Sequence, residues 1–164
     1  MSARILLLLL LLSAAPLAQA ADLTVRFTGR FQPGTCSFSA PDVDVGTFQA
    51  PSFDTVPMPT PVSFTLRRTA CAAELLTLHV RLAGAVDATS ADYFAVPSTG
   101  GVRGIAIRIS NPSNQVMRPN QPAFDWQTMG SADGGFVLRA GLVKTGTVTA
   151  GSIRAPITVQ VTYN

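Results

Sequence analysis

The sequence predicts an all-β fold, a sandwich of about seven or eight strands. Two stretches, one near each end of the chain, alternate between apolar and polar side chains, as a strand with one buried and one solvated face does. Val, Ile, Thr and Phe, which favour sheets, are abundant, and few stretches carry a helical period. Short strands in this number, separated by turn residues, fit an immunoglobulin-like sandwich.

Residues 1–20 have the three parts of a secretory signal peptide and are left out of the predicted fold. Arg4 is a short basic region, Ile5 to Leu12 is an unbroken apolar run, and Ala18-Gln19-Ala20 is a small-residue cleavage site. The alternative is a membrane anchor, but the apolar run is shorter than the ~20 residues that span a bilayer. Cleavage after Ala20 removes one Arg and no acidic residue, so the formal charge falls from +3 to +2. This bias is too weak to indicate nucleic acid or anionic lipid as a partner.

The first strand is predicted at the start of the exported chain, within residues 21–31. Its apolar face alternates with Thr and Arg and consists of Leu23, Val25, Phe27, Gly29 and Phe31. Pro33-Gly34 then marks a turn.

Two cysteines follow, and export determines how they are expected to pair. In an oxidising compartment Cys36 and Cys71 are expected to form one disulfide, since two cysteines allow only one connectivity. A zinc site is not indicated, because nothing nearby supplies two further ligands at zinc spacing.

The middle of the chain supplies the other predicted strands. Alternation indicates strands at 62–66 and 76–82, and further strands are expected at 101–109 and 136–143. Residues 50–61 carry four prolines and are expected to be irregular and at the surface, and residues 85–100 to be turn-rich. The stretch 110–135 is predicted as a loop that contains Phe124 and the single Trp, Trp126. This aromatic pair either plugs the edge of the core or forms a ligand platform.

The last fourteen residues form the most regular predicted strand. Polar residues or Pro occupy every even position, and Asn164 ends the chain. The odd positions carry Gly or apolar residues: Gly151, Ile153, Ala155, Ile157, Val159, Val161 and Tyr163. This pattern alone also fits the last strand of an ordinary, complete sandwich.

The two ends of the chain together resemble a family, the chaperone–usher pilus subunits. A Gly fourteen residues from the end, alternating apolar residues and a penultimate Tyr are similar to the C-terminal motif of these pilins. Gly29, seven residues before Cys36, fits their N-terminal extension, and the Val43-Asp-Val-Gly46 stretch resembles one of their short strands. The resemblance covers nearly the whole chain after residue 20.

The resemblance implies an incomplete immunoglobulin-like sandwich that is completed by a donor strand from another subunit. It divides the chain into a signal peptide (1–20), a donor extension (21–32) and a pilin domain (33–164). It places Cys36 and Cys71 on neighbouring strands and makes the C-terminal strand the border of an open groove. The implied partners are neighbouring subunits, an outer-membrane usher, and a periplasmic chaperone that grips the terminal carboxylate of Asn164. The implied location is the periplasm during assembly and then a cell-surface fimbria.

Nothing in the sequence indicates an enzyme, a cofactor or a metal site. There is no G-x-S-x-G, no H-E-x-x-H and no phosphate-binding Gly loop. His79 is the only histidine, and its position in the alternation places it on a solvated face. Asp42 and Asp44 are paired carboxylates but are expected on an exposed edge strand. The alternative function is a secreted carbohydrate-binding or adhesive module with a complete sandwich and a sugar site near Trp126.

Overall fold

The computed structural model describes residues 34–163, which fold into two facing antiparallel sheets. A one-turn helix, α1 (Ser52–Thr55), and a 3₁₀ turn at Ser98–Gly100 interrupt the strands. The eight strands are β1 (Ser37–Ser39), β2 (Val62–Thr69), β3 (Thr77–Ala83), β4 (Phe94–Ala95), β5 (Ile105–Ser110), β6 (Phe124–Gln127), β7 (Gly134–Lys144) and β8 (Thr158–Thr162). The signal peptide and donor extension predicted for residues 1–32 lie outside the described residues, as does Asn164.

One sheet has five strands in the order β1-β2-β7-β5-β4, and the other has three in the order β6-β3-β8. The β2–β7 pair is the longest ladder, with Leu66 opposite Phe136 and Val62 opposite Ala140. In the smaller sheet β3 lies in the centre, with Val80 opposite both Phe124 of β6 and Val161 of β8. The immunoglobulin-like sandwich expected from the alternating segments is therefore present.

The core lies between the two sheets, where the predicted apolar faces meet. Along β3, Leu78 and Val80 are fully buried, whereas His79 and Arg81 point away from the core. Full burial of such a side chain stabilises the fold by roughly 1.5–3 kcal/mol. The alternation in sequence thus becomes the division between interior and surface.

The prediction of a loop over residues 110–135 is wrong for Phe124 and Trp126, because both lie on strand β6. Trp126 is only 6% exposed and packs on Phe136 of the opposite sheet, with 5.6 Å between ring centroids. Phe124 stacks on the same Phe136 ring at 4.8 Å. These aromatic rings join the two sheets, so the interpretation of the pair as part of the core is the correct one.

Three other local expectations need correction. Residues 43–46 form no strand; instead the Asp44 carboxylate accepts a hydrogen bond from the Gly46 N–H, which closes a tight turn. The Pro-rich stretch 50–61 is not wholly superficial, because α1 buries Phe53 in the core beside Phe48. The turn-rich stretch 85–100 contributes β4, whose Phe94 is buried.

The two cysteines are bonded, as predicted. Cys36 immediately precedes β1 and Cys71 follows β2, so the bridge joins the ends of two paired strands. The sequence separation is 35 residues, and closing a loop of that length stabilises a fold by about 4 kcal/mol in the chain-entropy account.

Candidate functional site

The candidate site lies on the side of the sandwich where β1 is the last strand of one sheet and β8 is the last strand of the other. β1 pairs only with β2, and β8 pairs only with β3, as far as residues 34–163 are concerned. The outer edges of both strands are therefore without a strand partner in that part of the chain. Phe38 of β1 and Tyr163 after β8 approach with ring centroids 6.5 Å apart, which places the two edges beside each other.

Between these edges runs a groove with a cavity of about 220 Å³. Its lining is largely apolar, with Ser39 and Arg67 as the polar residues, and comes from both sheets. One wall is formed on the β1 side and the other by the C-terminal segment, over a floor from β2, β3 and β6; the principal residues are Phe38, Ala40, Leu66, Val80, Trp126, Ile157, Val159 and Val161. Such a surface attracts an apolar partner, because covering it removes it from water.

The burial of β8 agrees with an open groove beside it. Val159 and Val161 point inward but remain half-buried, whereas the inward residues of the neighbouring β3 are fully buried or nearly so. The difference arises because β3 is flanked by strands on both sides and β8 is flanked on one. Among residues 34–163 no strand pairs with the outer edge of β8, so its backbone N–H and C=O groups are open to a further strand.

The predicted C-terminal residues lie mostly where the alternation requires. Ile153, Ala155, Ile157, Val159, Val161 and Tyr163 are half-buried and pack against the core, and each intervening residue is exposed. The hydrogen-bonded strand is shorter than the predicted 151–164, however, and covers only Thr158–Thr162.

The strand is shortened because its first residues pair elsewhere. Ser152 donates its backbone N–H to the Gly100 carbonyl at 2.9 Å and forms a parallel bridge with Gly101. Gly151 lies outside the groove lining, against this same backbone. A Cβ added at Gly151 would stand 2.3 Å from the Gly100 oxygen, so a glycine is required there by close approach.

Arg68 is a buried residue that the sequence analysis missed. It is only 4% exposed, lies 5.4 Å over the Trp126 ring, and donates hydrogen bonds to the backbone carbonyls of Thr128 and Ser131. Its position on β2 has the same parity as Leu66, so the alternation already indicated an inward side chain. The guanidinium group thus covers one face of the Trp126 ring at the edge of the core.

The single histidine of the sequence is not part of the groove lining. His79 lies on the outer face of the smaller sheet, where its Nδ1 is 2.7 Å from an Asp125 carboxylate oxygen. No group of three His, Cys, Asp or Glu side chains within residues 34–163 could hold a metal ion. Likewise, no helix in this range is long and apolar enough to cross a bilayer.

Comparison with known proteins agrees with this geometry. The model of the fimbrial protein family matches residues 25–164. The chain belongs to the fimbrial protein family. It is 30% identical over 148 residues to the S-fimbrial adhesin protein SfaS of Escherichia coli O6:K15:H31 (strain 536). The aligned region covers 89% of this chain and 88% of the relative.

Solved structures show the same fold. The P pilus rod subunit PapA superposes with a TM-score of 0.68 at 18% identity, covering 86% of this chain and all of PapA. A subunit from the structure of a chaperone–usher pilus that addresses rod uncoiling gives a TM-score of 0.65 at 18% identity, covering 92% of this chain and all of that one. The protein is therefore a fimbrial subunit with a pilin fold.

Proposed function

We propose that this fimbrial subunit polymerises by donor-strand exchange, in which residues 21–32 of one subunit fill the groove of another. The observation that carries the proposal is the apolar groove between the free edges of β1 and β8. The same chain contains an alternating apolar segment ahead of Cys36. Addition of an extended segment to an open sheet edge is an established mode of recognition, for which pilin assembly is a known example.

The donor and the half-buried C-terminal segment agree in length. Leu23 to Phe31 is nine residues, or about 30 Å of strand at ~3.3 Å per residue. Ile153 to Tyr163, the half-buried C-terminal segment, is eleven residues long, which is a comparable span. A donor strand would therefore follow most of that segment, of which Ile157, Val159 and Val161 line the groove.

The donor and the groove agree in chemistry as well. The inward face of the donor would be Leu23, Val25, Phe27, Gly29 and Phe31, and the groove walls are Val, Ile, Phe and Ala. Gly29 would let the donor backbone approach closely at a shallow point. The backbone of the donor would hydrogen-bond to the free edge of β8.

The proposal includes the route and the partners of assembly. Residues 1–20 direct export, residues 33–164 form the pilin domain, and the subunit passes through the periplasm to a cell-surface fimbria. In the periplasm a chaperone first covers the groove and contacts the C-terminal strand up to Asn164. An outer-membrane usher then exchanges that chaperone for the next subunit. The likeness to a chaperone–usher pilus subunit supports this route. The subunit acts as a structural element and has no enzymatic role.

The test compares fibre assembly by three forms of the chain, each expressed with its chaperone and usher. The unchanged chain should give a ladder of oligomers that resists SDS until it is boiled. Replacing residues 21–32 with a Gly/Ser segment of equal length should abolish the ladder. As the matched control, exchanging Thr24 and Thr28, which alternate with the apolar donor residues, for Ser should leave it intact. Normal fibres from the Gly/Ser variant would overturn the proposal.

A further inference from the structure

Two exposed apolar residues lie on neighbouring segments at one end of the sandwich. Met129 is 90% exposed and Leu76 is 59% exposed. Thr128, which precedes Met129, donates its backbone N–H to the Leu76 carbonyl at 2.9 Å, so the two segments are adjacent. We call these two residues the Leu76–Met129 patch.

The conformation of Met129 does not serve the fold of its own domain. Its φ is +53°, in the left-handed region that Gly or Asn adopts most easily, within a turn closed by the Ser131 N–H and the Thr128 carbonyl. A Met there costs backbone strain and, being exposed, contributes little burial. Such a side chain is better explained by a contact outside the domain.

The chain leaves the described domain beside this patch. A Cβ added at Gly34 would lie 3.1 Å from the Cγ of Leu75, the residue before Leu76. Thr35 is fixed to the domain, because its carbonyl accepts the backbone N–H of Ala72 at 3.0 Å. Any strand donated from residues 21–32 therefore departs next to the Leu76–Met129 patch.

The length of the connection then limits where a neighbouring subunit can lie. This step rests on the proposed donor-strand exchange, in which Phe31 is the last side chain in the groove of the accepting subunit. Four peptide steps separate Phe31 from Thr35, which is about 14 Å at most. A domain of 130 residues has a radius of gyration of about 14 Å, so the donating domain cannot swing clear of the acceptor.

We propose that the Leu76–Met129 patch is a docking surface for a second subunit of the same fold, the one that accepts this chain's N-terminal strand. The donated strand leaves the groove at one end of the accepting domain. The patch of the donating domain contacts the accepting domain at that end. Apolar contact there fixes the angle between successive subunits, which a tether of a few residues alone would leave free.

The test uses a head-to-tail dimer, in which one copy donates residues 21–32 and the other accepts them. Met129→Cys is placed in the donating copy or in the accepting copy, and the rate of maleimide labelling is measured for each. The Cys36–Cys71 disulfide leaves this as the single free thiol. The same residue in the accepting copy is the matched control, because the patch of that copy has no acceptor of its own.

The thiol in the donating copy should react about tenfold more slowly, which corresponds to about 1.4 kcal/mol for opening the contact. The thiol in the accepting copy should react at the rate of the monomer. Equal rates in a dimer that has formed would overturn the docking surface and leave donor-strand exchange intact. Failure of any dimer to form, judged by native mass spectrometry, would instead refute the proposed function and with it this inference.

Discussion

Moving residues 21–32 from the N-terminus to a position after Asn164, through a short flexible linker, should produce a soluble monomer that is much more heat-resistant than the chain without a donor. The added strand would run antiparallel to β8, so a hairpin connection can deliver it to the groove. Its side chains would fill a cavity of about 220 Å³. At ~24 cal/mol per Å³ of unfilled apolar volume, the filling stabilises the domain by about 5 kcal/mol.

That free energy translates into a large shift of the melting temperature. For a domain of this size, 1 kcal/mol moves the midpoint by about 4 °C, so the expected rise is roughly 20 °C. Thermal unfolding followed by far-UV circular dichroism measures the shift, and size-exclusion chromatography measures the oligomeric state. The reference is the chain that lacks residues 21–32 and carries no added strand.

A matched variant separates groove filling from the mere presence of a longer chain. It carries the same attached segment with Val25→Ser and Phe27→Ser, which keeps the strand length and its backbone hydrogen bonds but removes two apolar side chains. Most of the rise should be lost. If the two attached segments raise the midpoint equally, or if the chain without a donor already melts as high, the groove is not an unfilled part of the core and the reasoning is wrong.

Two further predictions concern covalent and steric features of the domain. Replacing both Cys36 and Cys71 by Ser should lower the free energy of unfolding by about 4 kcal/mol, as urea denaturation would measure; a loss below 1 kcal/mol would contradict the loop-closure argument. Gly151→Ala should cost about 2 kcal/mol, because its Cβ would stand 2.3 Å from the Gly100 oxygen. Gly146→Ala, whose Cβ would meet only ordinary contact at 3.5 Å, is the control, and equal losses for the two variants would exclude this steric explanation.

The alternating strands could be predicted from the sequence because burial of one face alone determines their pattern of apolar and polar residues. β2 and β3 were found this way, and the disulfide followed from export and a single cysteine pair. The half-buried face of the C-terminal segment was predicted residue by residue, but Gly151 was assigned to the groove edge. Its actual contact with Gly100 connects residues 51 positions apart, and no local pattern contains that information.

The missed elements are short and owe their structure to distant partners. β6 has four residues, too few for a period, and its place is decided by pairing with β3 and by stacking on Phe136. Phe53 lies on a single helical turn between prolines and is buried, although the composition of that stretch predicts an exposed segment. For such segments tertiary packing outweighs local propensity.

The disulfide also determines how the domain would carry mechanical load. A pull on the chain ahead of Cys36 would otherwise be resisted mainly by the Thr35–Ala72 hydrogen bond and by β1, whose ladder with β2 is only three residues long. The Cys36–Cys71 bridge transmits that tension covalently to the end of β2. β2 is held along seven residue pairs by β7 in the middle of the larger sheet, so force enters the domain at its longest ladder rather than at its weakest edge.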